Sequence, residues 1–175
     1  MSFFSKLFDR ENPNIIMQPL YAAIVAEGRR LEWYVAGGVP DTLDGRFDMI
    51  AAIFSLVQIR LEQEKDTEQN IAWLVEHFVD DMDGQIRQIG INDVVVGKHI
   101  GKMMGALGGR LVAYRDALLA NGNLEQALSR NIYRGEPVEQ TALEFTRRKL
   151  SEFYDALTTS EINTIMAGNL PRAAQ

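Results

Sequence analysis

A chain of 175 residues with 46% hydrophobic and 24% charged side chains has the makeup of one globular domain, large enough to bury roughly 70% of its unfolded surface. Its net charge of −6 argues against nucleic acid as the main partner, because phosphate recognition needs a basic field. Cysteine is absent, which excludes disulfides and thiolate metal sites, and neither an apolar run of about 18–20 residues nor a signal-peptide core occurs, so a cytoplasmic location is expected.

The first ten residues place Phe3, Phe4, Leu7 and Phe8 on one side of a short helix, with Lys6 and Arg10 elsewhere. Such a segment suits membrane contact, aromatic side down and cations toward headgroups; an ordinary N-terminal turn is the alternative. Glu11-Asn12-Pro13-Asn14 reads as a linker. The expected division is therefore 1–14 as amphipathic segment and linker, 15–170 as a helical domain, and 171–175 as a tail. Pro19 is a good first-turn residue for a helix through Leu20, Tyr21, Ile24 and Val25, closed by Arg29-Arg30 where the macrodipole favours cations. After the short apolar segment Leu31–Val35 comes a glycine- and proline-bearing loop, Gly37 to Asp44. Asp41 or Asp44 is expected to cap the helix after this loop.

From Gly45 to about Glu62 runs the best candidate for the centre of the fold. Phe47, Ile50, Ala51, Phe54, Val57 and Leu61 form one face, and Met49, Ile53, Leu56 and Ile59 an adjacent one. A helix apolar this far round is covered on several sides. The next helix, from about Glu68, carries Ile71, Leu74, Val75, Phe78, Met82, Ile86 and Ile89 at 3.6 spacing. Gly90 is expected to end it, and Asn92 or Asp93 to cap its successor. That helix buries Val96, Ile100, Met103, Met104, Leu107, Leu111, Tyr114 and Leu118, and ends at Asn121-Gly122-Asn123. A short helix near Leu124–Arg130, a turn at Arg134–Pro137, an amphipathic helix over Val138–Leu157 and a last one after Ser160-Glu161 complete the chain. No stretch alternates with period two, so the expectation is an all-α domain of about six to eight helices.

Gly97, Gly101 and Gly105 recur every fourth residue of the long helix, with Gly108 on the same side. Each interior glycine costs about 1 kcal/mol relative to alanine, so the repetition asks for a close-packed backbone, as in small-xxx-small helix pairs. That backbone belongs either to another helix of the chain or to an incoming one. In the second case Lys98, Lys102 and Arg110 line the rim of a groove. The series is no phosphate loop, since a dinucleotide fingerprint comes after a strand and opens a helix.

Catalytic patterns are thin. His77 and Asp81 have the i, i+4 spacing of two ligands, yet a metal needs a third, and Asp80 and Asp83 turn to another face. Neither histidine has the Glu three residues earlier that a di-iron bundle requires, and Asp81-Met82-Asp83-Gly84 lacks the rest of an EF-hand. No metal, cofactor or catalytic residue is expected. A small helical enzyme or metal-binding protein using the His77/Asp81 region, and a soluble helical scaffold, stay open as alternatives.

Gly38-Val39-Pro40-Asp41-Thr42 with Gly45-Arg46-Phe47-Asp48-Met49, then Asp81-Met82-Asp83, Gly90-Ile91-Asn92-Asp93, Val96-Gly97-Lys98 and Gly109-Arg110 through Tyr114, taken in this order, resemble the ubiquinol–cytochrome c chaperone family. The resemblance spans roughly Leu20 to Arg134. It implies an assembly factor for the cytochrome bc1 complex that handles newly made cytochrome b and is not an enzyme. Mitochondrial members carry an N-terminal targeting and membrane-attachment region, whereas here the domain starts almost at once, so a bacterial member is expected, peripheral at the cytoplasmic face of the inner membrane. A small partner subunit is known for the mitochondrial system. The residues expected to meet partners are Asp41, Arg46, Gly97, Lys98, Gly101, Lys102, Gly105 and Arg110.

Overall fold

The computed structural model describes residues 12–88, 93–120 and 122–172, and the side chains of all of these except 85–88 and 93–100. Around one almost wholly apolar helix, α3 (Leu43–Leu61), the other elements are wrapped. Every residue from Asp48 to Leu61 except Gln58 is buried, as the two adjoining apolar faces predict. Against it pack α1 (Gln18–Gly28), α5 (Asp93–Leu119) and α7 (Gln140–Thr159). α1 comes close because Gly28 faces it: a Cβ there would lie 3.0 Å from the Ile50 Cα. No strand occurs among the described residues, and the all-α reading holds.

α2 (Leu31–Val35) is a single turn anchored by Trp33, which is fully buried and donates its indole N–H to the Glu27 carbonyl at 2.9 Å. The cap of α3 is neither of the aspartates that the spacing suggests. Thr42, between them in extended backbone, accepts the Gly45 N–H at 3.1 Å. A threonine hydroxyl is a competent cap, and both aspartates pair with arginines instead. α4 (Glu68–Gln88) lies on α1 and α5, and α6 (Leu124–Asn131) on α5 and α7, capped by the Asn123 side chain at 3.0 Å from the Gln126 N–H. α8 (Ile162–Met166) returns to α1.

The stretch that reads as a linker is structured from Pro13 on. Pro13–Met17 is a 3-10 turn, and Asn14 within it is buried, donating its side-chain amide to Glu76 at 3.1 Å. Phe3, Phe4, Leu7 and Phe8 lie outside the described residues, as do the expected helix end at Gly90 and the Asn92 cap.

Candidate functional site

Helix α5 holds the fold by one side and offers the other to solvent. Leu107 and Tyr114 are buried against the core. Gly101, Gly105 and Gly108 are exposed, and a Cβ built on any of them meets no atom within 4 Å. The crossing by another helix of the same chain, one of the two readings of the glycine series, is therefore not made among the described residues. At 100° per residue, Gly101, Gly105, Gly108, Val112 and Leu119 fall within an arc of about 60° and along about 27 Å of axis. Val112 and Leu119 are each 53% exposed. This face is thus bare of side chains from Gly101 to Gly108 and apolar beyond, with exposed Asp116 and Lys102 beside it. Gly97 and Lys98 continue the helix, but their side-chain surroundings lie outside the described residues.

Arg110, expected at the rim of this face, is turned inward. Its guanidinium stands over the Phe47 ring at 5.4 Å from the centroid, and its Nη2 is 2.5 Å from Oδ1 of Asp48. Asp48 is fully buried, so its charge is retained only because it is paired. Its other oxygen, Oδ2, accepts from Nε of Arg134 at 2.6 Å, and Nη1 of Arg134 reaches Asp44 at 2.7 Å. Three distant parts of the chain are joined here: the first turns of α3, the middle of α5 and the turn after α6. Arg134 makes both contacts from a backbone at φ 56°, a left-handed conformation that side chains seldom take. Next to this cluster, burial pushes the Tyr114 phenol well above its usual range.

Above the cluster opens a cleft of about 380 Å³ between the α2–α3 connection and the α6–α7 connection. Its walls are tied together by the Tyr133 hydroxyl, which donates to the Gly37 carbonyl at 2.6 Å. Outside the cleft, Arg46 pairs with Asp41 at 2.7 Å, both side chains more than half exposed. The pair holds the Asp41 carboxyl below its usual range.

His77 and Asp81 each have a structural partner. Nε2 of His77 is 2.8 Å from the Asn14 carbonyl, and Asp81 accepts the Tyr21 hydroxyl at 2.6 Å. The Tyr21 ring stacks on the imidazole with centroids 6.0 Å apart. Among the described residues no group of three or more histidines and carboxylates is placed to hold a metal, and no helix is long and apolar enough to cross a membrane.

Sequence reasoning passes over Asp48 as a site residue. A lone carboxylate in register with Ala51, Ala52 and Ser55 on an otherwise apolar helix is the available signal, since such a charge must meet a cation from elsewhere.

Residues 35–159 match the family model described as ubiquinol-cytochrome C chaperone. Among solved structures, the crystal structure of the Cbp3 homolog from Brucella abortus superposes with a TM-score of 0.79 at 28% sequence identity, covering 96% of this chain and 95% of that one. No curated protein matches the chain.

Proposed function

The chain belongs to the ubiquinol-cytochrome C chaperone family, and from that premise we propose that it assists assembly of the cytochrome bc1 complex by holding newly made cytochrome b against α5. The observation that carries this reading is the exposed glycine face, where a second helix could approach at backbone distance along the roughly 10 Å from Gly101 to Gly108 and continue onto the exposed Val112 and Leu119. Without side chains in the way, dispersion contacts and Cα–H···O contacts accumulate along the crossing, as between membrane helices. Such a client buries apolar surface while awaiting its partners, and the task needs no chemistry, so the protein acts as a non-enzymatic assembly factor. Lys102, exposed beside this face, would favour an acidic or carboxyl-terminated part of the client, and Lys98 is proposed to share that role.

The site of action is the cytoplasmic face of the inner membrane. Phe3, Phe4, Leu7 and Phe8 supply the membrane contact, which vesicle flotation of the full chain and of a chain starting at Asn14 would measure. The exposed Arg46–Asp41 pair is a further partner contact, for cytochrome b or for a small partner subunit of the kind known in the mitochondrial system. Deleting the gene in its host and recording the reduced-minus-oxidised spectrum tests the assignment. Loss of the b-type signal of the bc1 complex is expected. A normal bc1 content would overturn it.

A further inference from the structure

We propose that the cleft between the α2–α3 and α6–α7 connections recognises a basic, partly apolar peptide segment of the client. This deepens the reading above and rests on it in one respect, that the client is a polytopic membrane protein. Cytoplasmic loops beside membrane-spanning helices carry an excess of lysine and arginine, and the chain that must hold them has a net charge of −6.

The cleft is suited to such a segment in shape and charge. At about 380 Å³ it falls in the range of binding pockets, roughly 300–1,000 Å³. Ile132 is buried and Val138 and Ala142 are half-buried along it, giving an apolar lining. Four carboxylates, Asp44, Asp48, Glu136 and Glu139, line it against one cation, Arg134. Arg134 is committed to Asp44 and Asp48, and Arg110 takes the second oxygen of Asp48. Glu136 and Glu139 are exposed and form no ion pair within the described residues. An entering lysine or arginine would meet these two and the outer edge of Asp44.

The walls are already fixed. Arg134 and Gly135 form a left-handed turn at φ 56° and 78°, closed by Gly135 N–H to the Ser129 carbonyl at 2.8 Å and Glu136 N–H to the Tyr133 carbonyl at 2.9 Å. A preformed cleft loses little entropy on binding. Its recognition would come from complementary charge, which weakens with salt.

Fluorescence anisotropy on the full chain tests the proposal, with a fluorescein-labelled Lys–Leu–Ser peptide and its counterpart bearing Glu for every Lys. The Lys peptide should bind saturably and the Glu peptide should not. Glu136→Lys/Glu139→Lys should weaken binding at least about tenfold, as expected for loss of complementary charge. Asp155→Lys/Glu161→Lys makes the same change of net charge at the far end of α7, which spans about 30 Å, and should alter binding less than about twofold, given screening over that distance. Melting curves that match wild type establish that both variants fold. Absence of binding, or equal weakening by the two double variants, overturns the cleft as the site. The probe contains no cytochrome b sequence, so the two readings fail separately. Failed binding together with bc1 loss on deletion overturns the cleft alone; intact binding with normal bc1 upholds the cleft and overturns the client.

Discussion

Replacing Asp48 with alanine isolates the ion cluster that ties α3, α5 and the α6–α7 connection together. The two arginines it leaves behind are not equivalent. Arg134 has a side chain 45% exposed and keeps Asp44 as a partner, so water and the second carboxylate compensate it, and its share of the loss is about 0–1 kcal/mol. Arg110 is only 11% exposed and keeps no anionic partner within the described residues, only the carbonyls of Ala106 at 3.1 Å and Asn131 at 3.5 Å and the Phe47 ring. A buried charge stripped of its counter-ion costs about 3–5 kcal/mol, and this dominates. For a domain of this size that corresponds to a melting temperature lower by about 6–20 °C. Urea denaturation monitored by the fluorescence of Trp33 and Trp73 reads the change. Asp48→Asn/Arg110→Met removes the stranded charge and leaves an amide to accept from Arg134, so it should recover stability to within about 1–2 kcal/mol of wild type. A loss below about 1 kcal/mol for Asp48→Ala, or a double variant no better than the single one, would refute the electrostatic account.

Other expectations address separate links. Gly45→Ala should cost about 2–3 kcal/mol or more through overpacking, because its Cβ would fall 2.0 Å from the Pro40 carbonyl oxygen; a stabilised variant, as helix propensity alone would give, would contradict this. Burial raises the Glu27 carboxyl above its usual range, only partly offset by Arg30, so its contribution to stability is complete below the unfolded value of about 4.3 and is lost as pH rises through the folded one. Glu27→Gln should therefore match wild type in acid and gain on it toward neutral pH, and a wild-type advantage at neutrality would show that the Arg30 pair prevails. Arg46→Ala removes an exposed pair and should leave the melting temperature unchanged while reducing bc1 content; equal loss of both would make Arg46 structural.

Much of the architecture is legible in the sequence because burial tracks period. The two-faced apolar pattern of α3 and the single stripe of α4 are consequences of 3.6-residue geometry, and each appears where the pattern puts it, on α4 as far as Met82 within the described side chains. Capping is less legible, since Asp41, Thr42 and Asp44 are all competent caps, and the two aspartates are engaged by Arg46 close by and by Arg134 far along the chain. Glu11–Asn14 resembles a linker because it is polar and holds Pro13, and the burial of Asn14 depends on Glu76 and His77 more than sixty positions away. The glycines divide in the same way. Gly28 stands at a close approach to α3, and Gly45 at one to the Pro40 carbonyl of the connection before it, whereas Gly101, Gly105 and Gly108 of the regular series on α5, the stronger sequence signal, face open space. A pattern shows that a backbone is bare, and only the assembled fold shows what lies opposite.

The most direct test of the account is to replace the host's chromosomal copy with Gly101→Leu/Gly105→Leu and measure bc1 content alongside the abundance of the variant. Nothing lies within 4 Å of either Cβ position, and leucine exceeds glycine in helix propensity by about 0.8–1 kcal/mol, so the protein should be present at normal level and fold at least as stably as wild type. The account predicts that bc1 nevertheless falls to the level of the deletion strain, because two leucines would hold an incoming helix off the α5 backbone. Full bc1 content with normal abundance of the variant would contradict it.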